Sequence, residues 1–138
     1  MRILALDHGS VRIGVAISDE LKMIAQPLEF IPAEPFEAFL ERLRQILDEK
    51  PVEQILVGMP RNMDGSYGPA AEKVREFVAA LQAAVAMPIQ TVDERLSSVQ
   101  AQKLLSQAGH KAKQQRGRVD QSAAAILLQS HLDSRMTE

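Results

Sequence analysis

MRILALDHGSVRIGVAISD, residues Met1 to Asp19, is the stretch on which the fold of this chain turns. An apolar run, Ile3-Leu4-Ala5-Leu6, ends on a carboxylate, Asp7. A turn of small residues follows at His8-Gly9-Ser10, and a second apolar run, Ile13 to Ile17, leads away. The near-continuous apolar character predicts a strand from Arg2 to Leu6 or Asp7, buried on both faces. Gly9 breaks it, and Arg12 to Ser18 returns as its antiparallel partner. Asp7 therefore stands at the end of a buried strand, beside a glycine that permits close approach.

Working outward, Pro27 to Ile31 is a short strand bracketed by Pro27 and Pro32. Proline lacks a ladder donor, so this strand belongs at a sheet edge. Pro35 suits a first helical turn, and Phe36, Phe39, Leu40, Leu43, Ile46 and Leu47 recur at helical spacing through Asp48. Pro51 stops that helix, and Gln54 to Val57 is a central strand. Gly58 to Pro69 is a long loop rich in turn formers. A second helix spans Pro69 to Ala84, and Ile89 to Val92 is the last strand. Ser97 and Gln100 have capping-box spacing and start a third helix, closed by Gly109. A final helix runs from about Val119 to Leu132, with Ala123, Ile126, Leu127 and His131 as inward candidates.

The order β-β-β-α-β-α-β-α-α is a three-stranded meander followed by right-handed crossovers. It predicts an α/β fold, a mixed sheet with helices on both faces, in one domain over residues 1–138. Ligands of such sheets bind beyond the carboxyl ends of the strands. Asp7, the Gly58–Pro69 loop and Asp93-Glu94 all fall at such ends.

Composition bounds the function. The 138 residues include no cysteine, which excludes disulfides and thiolate metal sites. Sixteen basic against 18 acidic residues give a net charge of −2, which argues against coating nucleic acid through bulk charge. A local basic patch remains at Lys111, Lys113, Arg116 and Arg118, either a solvated loop or a phosphate contact. No signal peptide is visible and no apolar run approaches the length of a membrane span, so the expected address is cytoplasmic, with no membrane partner.

Without thiolates, and with only His8, His110 and His131, a metal site here is one of oxygen ligands for a hard cation, Mg²⁺ or Mn²⁺. The candidates are Asp7, Asp93, Glu94 and Asp120. Two or three carboxylates around divalent ions activate water and stabilise in-line displacement at phosphorus. Each has a plainer alternative. Asp7 can accept backbone N–H groups in the turn, Glu94 can pair with Arg95, and Asp120 can cap a helix. His8 can touch substrate or sit half-exposed in its turn. Arg12 can meet a phosphate or pair with an acid, and Asp64-Gly65 reads as a turn.

Four segments carry a resemblance. Asp7 to Ala16 (DHGSVRIGVA) resembles the opening motif of the YqgF family, also called RuvX, of pre-16S ribosomal RNA nucleases. Gly58 to Ser66 (GMPRNMDGS) is similar to its second motif and Asp93 to Ser98 (DERLSS) to its third. Lys113 through Val119-Asp120, followed by Ala123-Ala124 and Ile126-Leu127, is similar to its fourth. The motifs come in family order and span nearly the whole chain. The resemblance implies an RNase H-like fold related to the resolvase RuvC, with five strands in the order 3-2-1-4-5 and strand two antiparallel.

It also implies metal-dependent phosphodiester cleavage, with Asp7, Glu94 and Asp120 as the catalytic and metal-binding acids. Arg12, Arg95, Lys111, Lys113, Arg116 and Arg118 would then hold the phosphate backbone. The implied substrate is precursor 16S ribosomal RNA near its 5′ end. A branched DNA junction and non-catalytic nucleic-acid binding on the same fold are the alternatives, and monomer and homodimer both stay open. One departure stands out. RuvC-type enzymes place an acid at the end of strand four, where this chain reads Val57-Gly58-Met59. Glu94 would have to reach across two strand spacings, about 9–10 Å, which leaves one-metal and two-metal sites both open.

Overall fold

The computed structural model describes residues 1–60, 64, 66–93 and 123–136. Five strands form one sheet: β1 (Arg2–His8), β2 (Arg12–Ser18), β3 (Ala25–Pro32), β4 (Val52–Met59) and β5 (Ile89–Asp93). Three helices are described, α1 (Phe36–Glu49), α2 (Pro69–Ala84) and α3 (Ala123–Met136). The strand order is β3-β2-β1-β4-β5. β2 runs antiparallel to β1 and β3, while β4 runs parallel to β1 and β5. The helix expected from Ser97 to Gly109, and residues 119–122 of the last helix, lie outside the described residues. No helix among the described residues is long and apolar enough to cross a membrane.

β1 is central, and its residues alternate between two cores, as strand geometry requires. Leu4 and Leu6 join Phe39, Leu43 and Ile46 of α1 and Val74, Phe77 and Leu81 of α2. Ile3 and Ala5 join Ala16, Leu56 and the α3 residues Ala124, Leu127, Leu128 and Leu132. Helices therefore cover both faces, and β1 is apolar on both because neither face meets water.

α3 differs from the sequence expectation in the face it buries. Ala124, Ala125, Leu127, Leu128 and Leu132 point inward, whereas Ala123 is exposed and Ile126 and His131 are only half-buried. The small residues let the helix lie close to Ala5, Ala16 and Gly14: a Cβ on Gly14 would stand 3.8 Å from that of Ala124. Gln129 fixes the other end. Its side-chain oxygen accepts the Ala25 N–H at 2.9 Å, and its amide donates to the Met23 carbonyl at 3.0 Å.

β3 lies at the sheet edge as expected, but its prolines sit inside the ladder. Pro27 pairs with Ala16 and Pro32 with Arg12. With one neighbour only, β3 can direct the donorless proline nitrogens away from β2.

Candidate functional site

The site end of the sheet is shaped by the β1–β2 hairpin. The Gly9 N–H donates to the Arg12 carbonyl at 3.0 Å, and the Ala33 N–H donates to the Val11 carbonyl at 2.9 Å. A Cβ on Gly9 would come within 2.5 Å of the Arg12 oxygen. Glycine is therefore required at position 9 by close backbone approach. That tight closure places Asp7 opposite Gly14 in the ladder.

Strand alternation assigns each nearby side chain to a face. Asp7 follows Ile3 and Ala5 onto the α3 side. Arg12 and Gly14 follow the same parity as Ala16, so they share it. The ladder pairs Leu6 with Val57 and Val57 with Thr91. One step on, Asp7 is level with Gly58 of β4 and Val92 of β5, and Val92 packs against the α3-side core. A glycine thus stands beside Asp7 where an acid at the end of strand four would be.

The Asp7 carboxylate is half-buried and makes no hydrogen bond or ion pair with any described residue. It does not brace the turn. The β1–β2 turn is closed by backbone alone, whereas the next turn, between β2 and β3, is braced by Asp19, whose carboxylate accepts the Met23 and Ile24 N–H groups at 2.8 and 2.9 Å. Those two bonds hold the Asp19 carboxyl below its usual range. Arg12 pairs with no acid among the described residues. Its guanidinium lies over the Phe30 ring, 4.2 Å from the centroid. Phe30 went unremarked in the sequence, where only its place in the proline-rich strand could have pointed to it.

His8 takes the opposite face. It packs on the Phe77 ring with centroids 4.7 Å apart, and burial lowers its pKa against the opposing pull of Asp7. Asp93 alternates with Val92 and so also falls on the α1–α2 side. Asp64 is a turn residue: its carboxylate accepts the Ser66 N–H at 2.9 Å. Of the residues singled out in the sequence, Asp7 and Arg12 come to one face together. Glu94, Arg95, Lys111, Lys113, Arg116, Arg118 and Asp120 lie outside the described residues. Among the described residues no three His, Asp or Glu side chains are grouped to hold a metal.

A family model described as "RuvX: Holliday junction resolvase" matches residues 1–134. The chain belongs to the RuvX family. A Halothermothrix orenii relative named "Putative pre-16S rRNA nuclease" is 48% identical over 133 residues, 96% of this chain and 95% of the relative. A Geobacillus kaustophilus protein of the same name is 45% identical, over 98% of this chain and 99% of its own.

Among solved structures, Thermus thermophilus RuvC in complex with a Holliday junction superposes with a TM-score of 0.52 at 20% identity. That match covers 99% of this chain and 96% of RuvC. The fowlpox virus Holliday junction resolvase gives 0.54 at 11% identity, covering 97% and 99%. These two likenesses establish the RNase H-like fold of this RuvX chain. The expected five-strand order, 3-2-1-4-5, is the observed one.

Proposed function

We propose that this RuvX-family chain is a divalent-metal-dependent nuclease that hydrolyses phosphodiester bonds in the cytoplasm, acting on precursor 16S ribosomal RNA near its 5′ end. One observation carries the reading: Asp7, a half-buried carboxylate at the carboxyl end of the central strand, has no partner among the described residues. Partly desolvating a charge without pairing it opposes folding, so its retention there calls for a role outside folding.

The donor set fits a hard cation. Asp7 offers only oxygen, and the two acids that would complete the ligands, Glu94 and Asp120, do likewise. Glu94 follows Val92 by two residues, and Val92 is on the Asp7 face. Asp120 precedes Ala124 by four residues, and Ala124 lies against Gly14, the ladder partner of Asp7. Mg²⁺ or Mn²⁺ held by these acids would supply Lewis acidity at phosphorus. Arg12, braced on Phe30, presents its guanidinium on the same face and would hold a phosphate of the strand. Arg95, Lys111, Lys113, Arg116 and Arg118 would extend that contact along the backbone, making RNA binding salt-sensitive.

The test is cleavage of an end-labelled precursor 16S fragment by wild type and Asp7→Asn, with Mn²⁺, with Mg²⁺ and with chelator. Wild type should cut only with metal, and Asp7→Asn should fall to background while its folding is unchanged. Equal cutting by a contamination-controlled Asp7→Asn preparation would remove Asp7 from the reaction. A four-way DNA junction in the same assay, cut in preference to RNA, would transfer the activity to DNA.

A further inference from the structure

A cleft of about 790 Å³ opens beside the carboxyl end of β1, on the α1–α2 side of the sheet. Its floor is aromatic. Phe77 lies against His8, and Phe36 meets Phe77 edge-on with centroids 6.2 Å apart. Its rim is charged: Glu34 comes from the loop after β3, and Lys73 and Glu76 from α2. None of these three has a hydrogen bond or ion pair with a described residue. The volume lies in the range of small-molecule sites. No role assigned to Asp7 or Arg12 uses any of these groups.

The chemistry selects the occupant. Phe77 is buried, but the half-buried Phe36 and His8 rings line the cleft and can pack against a flat heterocycle, as rings do in single-stranded nucleic acid sites. Two carboxylates against one ammonium disfavour a phosphate and favour a neutral ring with hydrogen-bond donors on its edge. Guanine has those donors on its Watson–Crick edge, and its O6 and N7 accept from a lysine. Uracil offers a single ring N–H between two carbonyls, which would face the carboxylates poorly.

Position supports the same occupant. His8 follows Asp7 directly, and the two side chains leave the strand on opposite faces. A nucleic-acid strand crossing the end of β1 can therefore place a phosphate at Asp7 and a neighbouring base on the His8 side.

We propose that this cleft receives an unpaired guanine of the RNA strand whose backbone crosses Asp7. The inference rests on the nucleic-acid reading above and adds a base-specific subsite to it. The experiment is equilibrium binding of labelled heptaribonucleotides by the full chain in chelator, so that neither metal nor cleavage enters. The probes are U₇, the same oligomer with a central guanosine, and one with a central abasic residue.

Guanosine should bind about tenfold tighter than the abasic oligomer, the effect of one stacked, hydrogen-bonded base. In the doubly substituted Glu34→Ala, Glu76→Ala protein that preference should shrink to less than threefold. Both residues are exposed, so folding is preserved. Bulk electrostatics alone would leave the preference unchanged, since removing two negative charges strengthens binding of every oligomer alike. Equal affinities for the three probes, or a guanosine preference that survives the double substitution, would overturn the proposal. Cleavage with Mn²⁺, measured separately, tests the nuclease reading. Guanosine preference without cleavage leaves the subsite standing, and cleavage without preference removes the subsite alone.

Discussion

Gly9→Ala should destabilise the protein and disable it, and the structure says by how much. The added Cβ would meet the Arg12 carbonyl oxygen at 2.5 Å, against about 3.4 Å for ordinary contact, so the turn must open by about 0.9 Å. Both atoms are tied to backbone, and the same movement stretches the 3.0 Å bond from the Gly9 N–H to that oxygen. Overpacking of this kind costs about 1–3 kcal/mol, and the weakened bond adds roughly 0.5–1.5 kcal/mol. Replacing glycine also stiffens the unfolded chain, which returns about 0.4–1 kcal/mol. The net loss is about 0.5–4 kcal/mol. At roughly 2.1 cal/mol/K per residue, 138 residues have an unfolding entropy near 0.3 kcal/mol/K. Tm should therefore fall by about 2–14 °C, read by circular dichroism and checked by urea titration. Asp7 sits two residues before Gly9, and a displacement near 1 Å at a reacting group can lower a rate on the order of 100-fold. Metal-dependent cleavage should drop on that scale below the melting range. A Gly9→Ala protein with unchanged or raised Tm would refute the claim that backbone contact fixes this turn.

Three further outcomes follow from the same geometry. Mn²⁺ at about 100 times its Kd should raise wild-type stability by about 2.7 kcal/mol; the shift should vanish in Asp7→Asn, and equal shifts in thermal melts would exclude Asp7 as a ligand. Arg42 hydrogen-bonds Glu29 at 2.6 and 2.9 Å and lowers its pKa from 4.5. A lowered folded pKa stabilises above the unfolded value and is lost as pH falls through the folded one. The stability gap between wild type and Glu29→Gln in urea should hold at neutral pH and close below about pH 4.5; a gap that widens on acidification would contradict the pairing. Finally, Asp93→Asn should retain cleavage per folded molecule and Glu94→Gln should lose it, and the opposite pattern in the same assay would assign the site to the other face.

How much of this was legible beforehand differs by element. β2 and α2 have the bounds expected from the sequence, because both are marked from within: an apolar run after the hairpin glycine, and a proline at the first helical position after Gly68. β4 reaches Val52 and Met59, beyond its apolar center at Gln54 to Val57, because its ends are set by neighbours. Val52 pairs with Arg2 and Met59 with Asp93. The inward face of α3 was misread because alanines at 123, 124 and 125 look alike until close approach to Gly14 and Ala16 selects among them. At the site, the position of Asp7 was readable and its state was not. Bracing a turn and having no partner among the described residues are equally compatible with DHGS, and the difference appears only once the hairpin is seen closed by the backbone bond from the Gly9 N–H to the Arg12 carbonyl.

Parity then links the two functional readings. Each strand end presents alternate residues to two faces, and at this edge the faces differ in chemistry. On the α3 side stand a carboxylate with no hydrogen-bond or ion-pair partner among the described residues, a guanidinium braced on a ring, and Gly58, level with Asp7. On the α1–α2 side stand His8, the phenylalanine cluster and a charged rim. A phosphate suits the first set, where Arg12 and a carboxylate-held cation would meet it, and a base suits the second, where rings can stack. Neither set suits both halves of a nucleotide. On the proposed reading, the strand end that separates Asp7 from His8 would therefore separate the backbone from the base.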